Sequence, residues 1–199
     1  MKKNMIIAIT GQSGSGKSSL SNFYKEKGYT VIDCDKVASD IHKNEECQKQ
    51  LCDYFGEDII TEGIIDKTLL AQKAFSSAEN LEKLTEITHP FIIQELLKTA
   101  NDCFENGENL VFVDGAVIIG HSFEEYCHKF ILVLCDKNLQ YNRLIERDNI
   151  TLEQAKNRIS KQTNLETLIS KSDFVVYNNE TIKELENQGE YVLRTLENL

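Results

Sequence analysis

Residues 11–18 read Gly-Gln-Ser-Gly-Ser-Gly-Lys-Ser and form a complete phosphate-binding motif of the pattern G-x-x-x-x-G-K-[ST]. An apolar run at 5–9 precedes the motif and a helix-like stretch at 19–27 follows it, so the sequence predicts a strand–loop–helix unit. The glycines let such a loop curl until its backbone N–H groups point at phosphate oxygens. The helix adds the positive end of its dipole. The stretch therefore predicts a binding site for a nucleoside triphosphate.

The motif also predicts roles for individual residues. Lys17 can reach the β- and γ-phosphates, and the Ser18 hydroxyl can fill one coordination position of Mg²⁺. The candidate nucleotide-binding residues are those of the motif and the serine that follows it: Gly11, Gln12, Ser13, Gly14, Ser15, Gly16, Lys17, Ser18 and Ser19.

Composition limits the kinds of protein that this chain can be. A length of 199 residues fits one domain, or one with an inserted subdomain, and the apolar fraction of 41% indicates a folded protein. The formal net charge of −10 argues against a broad surface for nucleic acid or anionic membrane. No apolar run is long enough to span a membrane, and residues 1–10 lead into a strand rather than a cleavable signal. Six cysteines without CxxC spacing indicate reduced thiols, so a cytoplasmic protein without a zinc site is expected.

Five apolar runs rich in β-branched residues predict the strands of a parallel sheet. They lie at 5–9, 29–32, 110–114, 130–135 and 173–177, and helical patterns separate them as in βαβ units. The interval 36–109 is nearly all helical in period and too long for a simple crossover, so we interpret it as a helical insertion on the substrate side. A second helical pair is predicted at about 138–148 and 151–163. The predicted fold class is therefore α/β, with a five-stranded parallel sheet.

Acidic residues follow two of the predicted strands, at the sheet edge where open α/β proteins bind ligands. Asp33 and Asp35 come directly after the second strand, and a carboxylate there could accept a hydroxyl proton or position Mg²⁺. We assign that role to Asp33, since Asp35 is well placed to cap a helix that begins near Lys36. Asp114 ends the third strand and is predicted to hold Mg²⁺, directly or through water; an ordinary strand-end aspartate is the alternative.

Basic residues cluster in the helical pair at 138–163. Arg143 and Arg147 are four residues apart and share a helix face. A helical hairpin that carries arginines beside a nucleotide site suggests a lid, which closes over the triphosphate and places guanidinium groups on the developing charge. We therefore predict a lid at about 138–169, with Arg147 as the catalytic contact. The alternative is a solvated helix face on which the arginines pair with acids such as Asp148.

His89 and Pro90 interrupt a helical stretch that runs from about Leu81 to Phe104. Because proline is tolerated better at the start of a helix than in its interior, we expect a new helix to begin at Pro90 and His89 to lie at a bend. His89 is then either a structural residue or a contact for the substrate.

These motifs, in this order, resemble the dephospho-coenzyme A kinases over nearly the whole chain, from Ile7 to about Glu180. The phosphate-binding motif alone occurs in many families. Its combination with Ile32-Asp33-Cys34-Asp35, with His89-Pro90 and with Arg143-x-x-x-Arg147-Asp148 is far more specific. The further matching positions are Phe55 to Ile60, Gly63, Asp66, Lys67, Leu70, Thr88, Asp114, Arg158, Gln162 and Ser172 to Asn178.

The resemblance implies one three-layer P-loop kinase domain over 1–199, with its core at 1–35, 105–137 and 170–199, a helical acceptor-binding insertion at about 36–104 and a small helical lid. It implies ATP-dependent phosphorylation of the ribose 3′-hydroxyl of dephospho-coenzyme A, the last step of coenzyme A synthesis, with ATP and Mg²⁺ as cofactors. Asp33 would then accept the proton, and Lys17 and Arg147 would stabilise charge. Arg143 and Asn178 would contact the nucleotide. The acceptor side would comprise Asp33, Lys67, His89 and Asp114.

The chain departs from the family's pattern after the third strand, where Ala116 and Gly120 replace a usual proline and glutamate, and at Lys67, where an arginine is common. Because lysine cannot form the bidentate fork of an arginine, these departures bear on the acceptor. Two other interpretations stay open: another small-molecule kinase of this architecture, acting on a nucleoside monophosphate or a sugar acid, and an ATP-binding module without catalysis. The expected partner is a small molecule, with no nucleic acid or membrane. A monomer is expected, with an oligomer left open.

Overall fold

The computed structural model describes residues 3–116 and 118–199. The chain divides into two compact units. The first, here called the sheet unit, comprises Met1–Asp33 and Ala100–Leu199, and the second, the helical unit, comprises Cys34–Thr99. Within the described residues, no helix combines the length and the apolar character that crossing a bilayer requires.

The strands, in chain order, are β1 (Met5–Thr10), β2 (Val31–Asp33), β3 (Ile60–Thr61), β4 (Ile64–Ile65), β5 (Leu110–Asp114), β6 (Lys129–Leu134) and β7 (Phe174–Tyr177). Five of them form a parallel sheet in the order β2-β5-β1-β6-β7, which confirms the predicted α/β fold. Every residue of β1 is buried, because this central strand is covered on both faces. β2 begins and ends later than the predicted 29–32, so Asp33 belongs to the strand itself.

The helices, in chain order, are α1 (Lys17–Glu26), α2 (Cys34–Asp40), α3 (Glu45–Phe55), α4 (Lys67–Ala74), α5 (Ala78–Glu105), α6 (Lys137–Asp148), α7 (Leu152–Ser160), α8 (Leu165–Lys171) and α9 (Ile182–Glu197). Single turns of 3₁₀ helix lie at Ile41–Lys43, Glu57–Ile59 and Glu124–Tyr126. The helical pair predicted at 138–148 and 151–163 is present as α6 and α7. The short helix α8 follows this pair and is not indicated by the periodicity.

Helices cover both faces of the sheet in the sheet unit. β6 shows this by alternation: Ile131 and Val133 face a core that α1 and α9 close, whereas Leu132 between them packs with Leu168 of α8. All four side chains are buried. Since burial of one such side chain contributes about 1.5–3 kcal/mol, both layers add substantially to the stability of the sheet.

Helix α1, which begins inside the phosphate-binding motif, is held firmly in this core. The ring of Tyr24 stacks on Phe112 of β5 with 4.2 Å between the centroids. The Tyr24 hydroxyl donates to the carbonyl oxygen of Gly189 in α9 (3.2 Å), and burial raises the pKa of that hydroxyl. The two helices are so close that a Cβ on Gly189 would lie 2.8 Å from Cδ1 of Leu20. The motif is thus attached to a tightly packed helix.

The helical unit has its own apolar core and is helical as predicted, except for one short hairpin that the helical period does not indicate. Its buried core side chains are Ile41, Cys47, Leu51, Phe55, Ile59, Ile65, Leu70, Ala74 and Ile87. Strands β3 and β4 pair antiparallel around Glu62 and Gly63, whose φ angles are 53° and 80°. Two consecutive residues with positive φ form the two-residue turn whose twist matches a β-hairpin.

Helix α5 runs without interruption through Pro90, so the predicted helix start at that residue is wrong. His89 consequently lies within a helix rather than at a bend. Ile87 and Phe91, on either side of the proline, pack in the same core of the helical unit. This shared burial keeps both halves helical although the proline removes one backbone hydrogen bond.

Helix α2 begins at Cys34, directly after β2, so the predicted helix start near Lys36 is also wrong. Asp35 therefore lies in the first turn and not at the N-cap. A carboxylate in the first turn still interacts favourably with the positive end of the helix dipole, which gives Asp35 a structural role close to the one expected.

Candidate active site

The phosphate-binding motif lies where β1 ends and α1 begins, at the carboxyl edge of the central strand. Gly16 immediately precedes α1 and has a φ of 94°, a left-handed conformation that glycine tolerates and other residues rarely adopt. A Cβ at this position would lie 1.8 Å from Nδ2 of Asn178. Position 16 therefore requires glycine both for the backbone angle and for the space.

Arg143 and Asn178, the two candidate nucleotide-binding residues outside the motif, pack against the loop. Nδ2 of Asn178 donates to the carbonyl oxygen of Ser15 (2.9 Å). The guanidinium of Arg143 donates to the same oxygen (3.4 Å) and to the carbonyl oxygen of Asn178 (3.1 Å). Asn178 follows β7 and Arg143 lies in α6. Both elements thus hold the loop through one carbonyl group.

Two glutamines hold the loop residue Ser13. One of them, Gln162, is a position that matches the family's pattern, but the sequence assigns no role to either. Gln162, between α7 and α8, accepts from the Ser13 N–H (2.9 Å) and donates to the Ser13 hydroxyl (2.9 Å). Gln140 of α6 donates to the Ser13 carbonyl oxygen (2.8 Å) and is 5% exposed. Beside them, Gln12 donates to the carbonyl oxygen of Thr163 (3.2 Å). The first turn after α7 is thereby attached to the loop.

The interior of the loop fits a chain of phosphates. Ser15 is 2% exposed, and within the described residues its buried hydroxyl oxygen has no hydrogen-bond partner. Because a buried hydroxyl without a partner is unfavourable, this atom marks a place for a ligand oxygen. The ammonium group of Lys17 donates to the carbonyl oxygen of Gly11 (2.9 Å) and so lies across the loop.

Asp33 and Asp114 lie side by side at the carboxyl edge of the sheet. They are register partners at the ends of β2 and β5, and Asp114 is also the register partner of Ile9 in β1. Register partners in a parallel sheet project from the same face, so both carboxylates stand on one face beside the strand that leads into the loop. Oδ2 of Asp114 accepts from the hydroxyl of Ser21 in α1 (2.6 Å). The acids assigned to proton transfer and to Mg²⁺ are therefore neighbours.

The arginines of the predicted lid are organised around one carboxylate, Asp148. Arg147 donates to both of its oxygens (2.8 and 2.9 Å), and Arg158 of α7 donates to Oδ2 (2.7 Å). The bond with Arg147 is the main reason why the pKa of Asp148 is lower than usual. The Arg147 side chain is 58% exposed, whereas Arg143, one turn earlier, contacts the loop. The structure thus brings Arg143 to the nucleotide site and pairs Arg147 with an acid of its own helix.

The candidate acceptor residues Lys67 and His89 belong to the helical unit, whereas the loop, Asp33, Asp114 and the arginines belong to the sheet unit. Lys67 is the first residue of α4 and is exposed, and its ammonium group donates to the Ser39 hydroxyl. Burial, reinforced by the charge of Lys67, lowers the pKa of His42. His89 is half-buried in the middle of α5. Lys67 therefore presents a positive charge at the surface of the helical unit.

The segment at 115–120, where the sequence departs from the family's pattern, is fastened by an acid further along the chain. Glu124 accepts from the Gly120 N–H (2.5 Å) and from the Lys171 ammonium group in α8 (2.6 Å). The bond with Lys171 is the main cause of a lowered pKa for Glu124. Position 120, where the family usually has a glutamate, is therefore contacted at its backbone by the carboxylate of Glu124. Val117 lies outside the described residues.

Mg²⁺ is the metal that the motif implies. In residues 3–116 and 118–199, no three histidine, cysteine or acidic side chains are grouped so as to hold a metal ion. Ser18 and Asp114 offer oxygen atoms, the ligand type that Mg²⁺ prefers. Mg²⁺ usually takes only one or two protein ligands and completes its shell with phosphate and water oxygens, so this pair fits a nucleotide-bound ion.

Comparisons with known proteins identify the relatives of the chain. A family profile described as Dephospho-CoA kinase matches residues 5–184. The dephospho-CoA kinase of Fusobacterium nucleatum is 35% identical over 196 residues, which cover 96% of this chain and 98% of that protein. The crystal structure of a Thermus thermophilus protein superposes with a TM-score of 0.81 at 28% identity, covering 98% of this chain and 99% of the other. The dephospho-CoA kinase of Campylobacter jejuni superposes with a TM-score of 0.67 at 23% identity, covering 100% of each chain.

Proposed function

This chain belongs to the dephospho-CoA kinase family, and from that premise we propose that it transfers the γ-phosphoryl group of ATP to the ribose 3′-hydroxyl of dephospho-CoA. Family membership confirms the resemblance seen in the sequence and makes the chain a kinase. The observation that carries the proposal is the register that sets Asp33 and Asp114 beside the strand of the phosphate-binding loop. An ATP site and an acid for the acceptor hydroxyl then share one edge of the sheet.

ATP is proposed to bind with its phosphates in the loop at 11–18, against backbone N–H groups and the first turn of α1. The Ser15 hydroxyl, which is buried and lacks a partner in the described residues, would donate to a phosphate oxygen. Lys17 would place its charge on the β- and γ-phosphates, and Gln12 and Ser19 would flank them. Arg143 and Asn178 keep the loop in shape, with Asn178 next to the adenine.

In the transfer step, Asp33 accepts the proton of the 3′-hydroxyl as the hydroxyl oxygen forms its bond to the γ-phosphorus. The bond from that phosphorus to the β,γ-bridging oxygen breaks, and ADP leaves with the electron pair. Because the transition state of phosphoryl transfer is loose, positioning and charge stabilisation matter more than the strength of the base. Lys17 and Arg147 supply the positive charge.

Arg147 would exchange at least part of its pairing with Asp148 for the γ-phosphoryl group. An exposed ion pair contributes only about 0–1 kcal/mol, so this exchange is energetically small compared with the interaction gained on the doubly charged γ-phosphate. Ser18 and Asp114 are the residues that would hold Mg²⁺, with Asp114 acting directly or through water. When bound, Mg²⁺ neutralises charge on the β- and γ-phosphate oxygens.

The helical unit is the proposed acceptor-binding region, with Lys67 and His89 as contacts. The exposed ammonium group of Lys67 supports this, since dephospho-CoA carries a diphosphate and point charges of this kind bind phosphates. The proposal includes a cytoplasmic monomer that acts on a small molecule and not on nucleic acid or membrane, in keeping with the net charge of −10.

The central experiment compares Asp33→Asn with Asp35→Asn. Asparagine keeps the size of aspartate but cannot accept the proton, so Asp33→Asn is expected to lower kcat by about 10²- to 10⁴-fold. ATP affinity, measured by calorimetry, should stay within about threefold. Asp35→Asn changes the neighbouring carboxylate and should keep kcat within about threefold. Equal and small effects of the two substitutions would reject Asp33 as the proton acceptor.

The acceptor is tested with a panel: dephospho-CoA, nucleoside monophosphates and sugar acids, each with labelled ATP and with mass detection of the product. Phosphorylation of dephospho-CoA at the 3′ position, in preference to the others, is the expected result. Preferential phosphorylation of another acceptor would overturn the substrate assignment. ATP binding without transfer to any acceptor would overturn the kinase reaction itself.

A further inference from the structure

We propose that the hydroxyl of Ser21 positions the Asp114 carboxylate, and through it the metal ion that accompanies ATP. Ser21 lies in α1, three residues after Ser18 of the motif, and is 2% exposed. It donates to Oδ2 of Asp114 over 2.6 Å. This role rests on the proposed function of Asp114 as a Mg²⁺ ligand. It adds a residue that the phosphate-binding motif does not contain.

The position of Ser21 on the helix suits this role. Residues three apart on an α-helix lie on the same face, with about 5–6 Å between their Cβ atoms. Ser18 and Ser21 therefore leave α1 on one side. The first hydroxyl is the proposed metal ligand, and the second holds the carboxylate that completes the pair. The packing of Tyr24 on Phe112, one turn later, fixes the helix from which both project.

The bond that Ser21 makes is unusual for a serine inside a helix. Such a hydroxyl commonly donates to the backbone carbonyl four residues earlier in its own helix. Here it donates instead to a side chain 93 residues away on β5. Because the donor is buried, water does not compete for it, and the hydroxyl satisfies its hydrogen-bonding requirement only through this carboxylate or a rearrangement of the helix face.

The bond also restricts the rotation of the Asp114 carboxylate, which decides where its oxygen atoms point when a metal ion binds. The terminal torsion of an aspartate side chain has a broad energy profile, so the plane of an untethered carboxylate turns readily. A short hydrogen bond to an ionised acceptor is about twice as strong as one between neutral groups. Ser21 thus sets the direction of the carboxylate oxygens before nucleotide and metal arrive, which removes an ordering step from metal binding.

The experiment measures metal affinity directly, with the full-length protein, ADP and Mn²⁺. Mn²⁺ takes the same oxygen ligands as Mg²⁺ and is counted by electron paramagnetic resonance. In Ser21→Ala, the dissociation constant of Mn²⁺ from the ADP complex is expected to rise by up to about tenfold, because the untethered Asp114 carboxylate must then be ordered when the metal binds. The affinity for ADP without metal should stay within about twofold.

Two further variants separate this role from its alternatives. Tyr24→Phe removes the other buried hydroxyl bond of α1 without touching Asp114, and Asp114→Asn removes the proposed ligand. If Tyr24→Phe weakens Mn²⁺ binding as much as Ser21→Ala does, general loosening of α1 explains the effect and the positioning role is overturned. Wild-type Mn²⁺ affinity in Ser21→Ala, with a loss in Asp114→Asn, overturns the role of Ser21 alone. Wild-type affinity in Asp114→Asn instead rejects the metal assignment in the proposed function.

Discussion

The phosphate-binding loop and the lid tip, defined as Arg147, Asp148 and Arg158, are assigned to the same reaction but are held in opposite ways. The loop is fixed by hydrogen bonds from largely buried side chains, with amide groups of Gln140, Gln162 and Asn178 on its backbone. The lid tip is held by charged pairs at the surface. A buried polar group left without its partner costs about 1–3 kcal/mol, whereas an exposed ion pair contributes about 0–1 kcal/mol. The loop is therefore fixed before ATP arrives, and the lid tip can rearrange around it.

The same contrast sets what each region responds to. Hydrogen bonds of neutral amides in a buried setting are insensitive to salt, while exposed charges are screened within about 10 Å at ordinary ionic strength. A substitution that adds atoms should be costly in the loop, because the residues around the loop are held in place. The same kind of change should be tolerated at the exposed lid tip. Substitutions matched for chemistry but placed in the two regions should therefore differ strongly in effect.

The largest effect is expected from Gly16→Ala, which would break the loop. The new Cβ would lie 1.8 Å from Nδ2 of Asn178, so the bond from Asn178 to the loop cannot persist. We expect the ATP dissociation constant, measured by calorimetry, to rise by about 100-fold or more.

The matched control for this change is Gly28→Ala. Gly28 has a φ of 89°, close to that of Gly16, but a Cβ there meets nothing within 4 Å. The control carries the backbone strain, about 1–2 kcal/mol, without the clash, and its ATP affinity should stay within about twofold. Equal losses of ATP affinity in both variants would show that strain, and not the space beside Asn178, decides the effect.

A smaller loss is expected when the loop keeps its glycines but loses one support. Gln162→Ala removes the acceptor for the Ser13 N–H and the donor to its hydroxyl, and should weaken ATP binding about tenfold. Gln154→Ala removes an amide of α7 that caps its own helix at Thr151 and does not touch the loop. ATP affinity in Gln154→Ala should match the wild type. If both glutamine variants bind ATP with the same affinity, the attachment of the turn at 161–164 to the loop does not affect ATP binding.

At the lid tip, a substitution that affects three hydrogen bonds should lower the stability of the protein by less than a substitution that affects two hydrogen bonds elsewhere. Asp148→Asn removes the charge that accepts three hydrogen bonds from Arg147 and Arg158, yet we expect the free energy of unfolding in urea to fall by less than about 1 kcal/mol. ATP affinity should rise by no more than about fivefold, because Arg147 no longer has to leave an ion pair to reach the γ-phosphoryl group. Asp173→Asn is the comparison, because Asp173 pairs with Lys129 and also accepts from the Phe130 backbone N–H in β6. It should cost about 1–2 kcal/mol, and a greater loss in Asp148→Asn would contradict a weakly held lid tip.

The sequence predicts the parts of this molecule whose physics is local. The motif at 11–18 has its glycines, lysine and serine at fixed spacing. The strands that are buried on both faces appear as continuous apolar runs. Both features can therefore be predicted without a structure. The sequence also contains a signal for the β3–β4 hairpin, since the β-branched pairs Ile60-Thr61 and Ile64-Ile65 flank Glu62-Gly63. Such pairs around a residue followed by glycine indicate a two-residue turn. Helical periodicity in the surrounding interval conceals it.

Other features depend on contacts that no local pattern contains. The continuity of α5 through Pro90 depends on burial of Ile87 and Phe91 in a common core, which overrides the local preference of proline. The bonds of Gln140 and Gln162 to Ser13, and of Ser21 to Asp114, join residues 93 to 149 positions apart. A glutamine or serine in a helix has many possible partners, so its role becomes visible only when the fold brings one of them near.

The smallest predicted effect is the dependence of stability on pH, which should differ between the strand that carries the loop and the lid tip. His128 is paired twice with Ile6 in β1, the strand that carries the loop. Its ring nitrogen Nδ1 accepts from the Ile6 backbone N–H (3.1 Å), and its backbone N–H donates to the Ile6 carbonyl oxygen (2.8 Å). Nδ1 accepts only while it carries no proton. Burial, with the nearby charge of Lys3, lowers the pKa of His128 from its ordinary value of 6.5. Below about pH 6.5 the unfolded chain therefore binds more protons at this residue than the folded chain does, and stability falls as the pH falls.

The lid tip should not share this response, because the lowered pKa of Asp148 keeps its carboxylate ionised well below that range. Between about pH 7.5 and pH 5 we expect urea unfolding to report a loss attributable to His128 of less than about 1 kcal/mol, since the ring is partly exposed and solvent screens it. His128→Asn offers an oxygen near the position of Nδ1 that does not titrate, so its loss should be smaller than that of the wild type. His42, whose pKa is also lowered, contributes equally to both proteins and cancels in the difference. If wild type and His128→Asn lose the same stability, the strand beneath the loop is no more sensitive to acid than the lid tip.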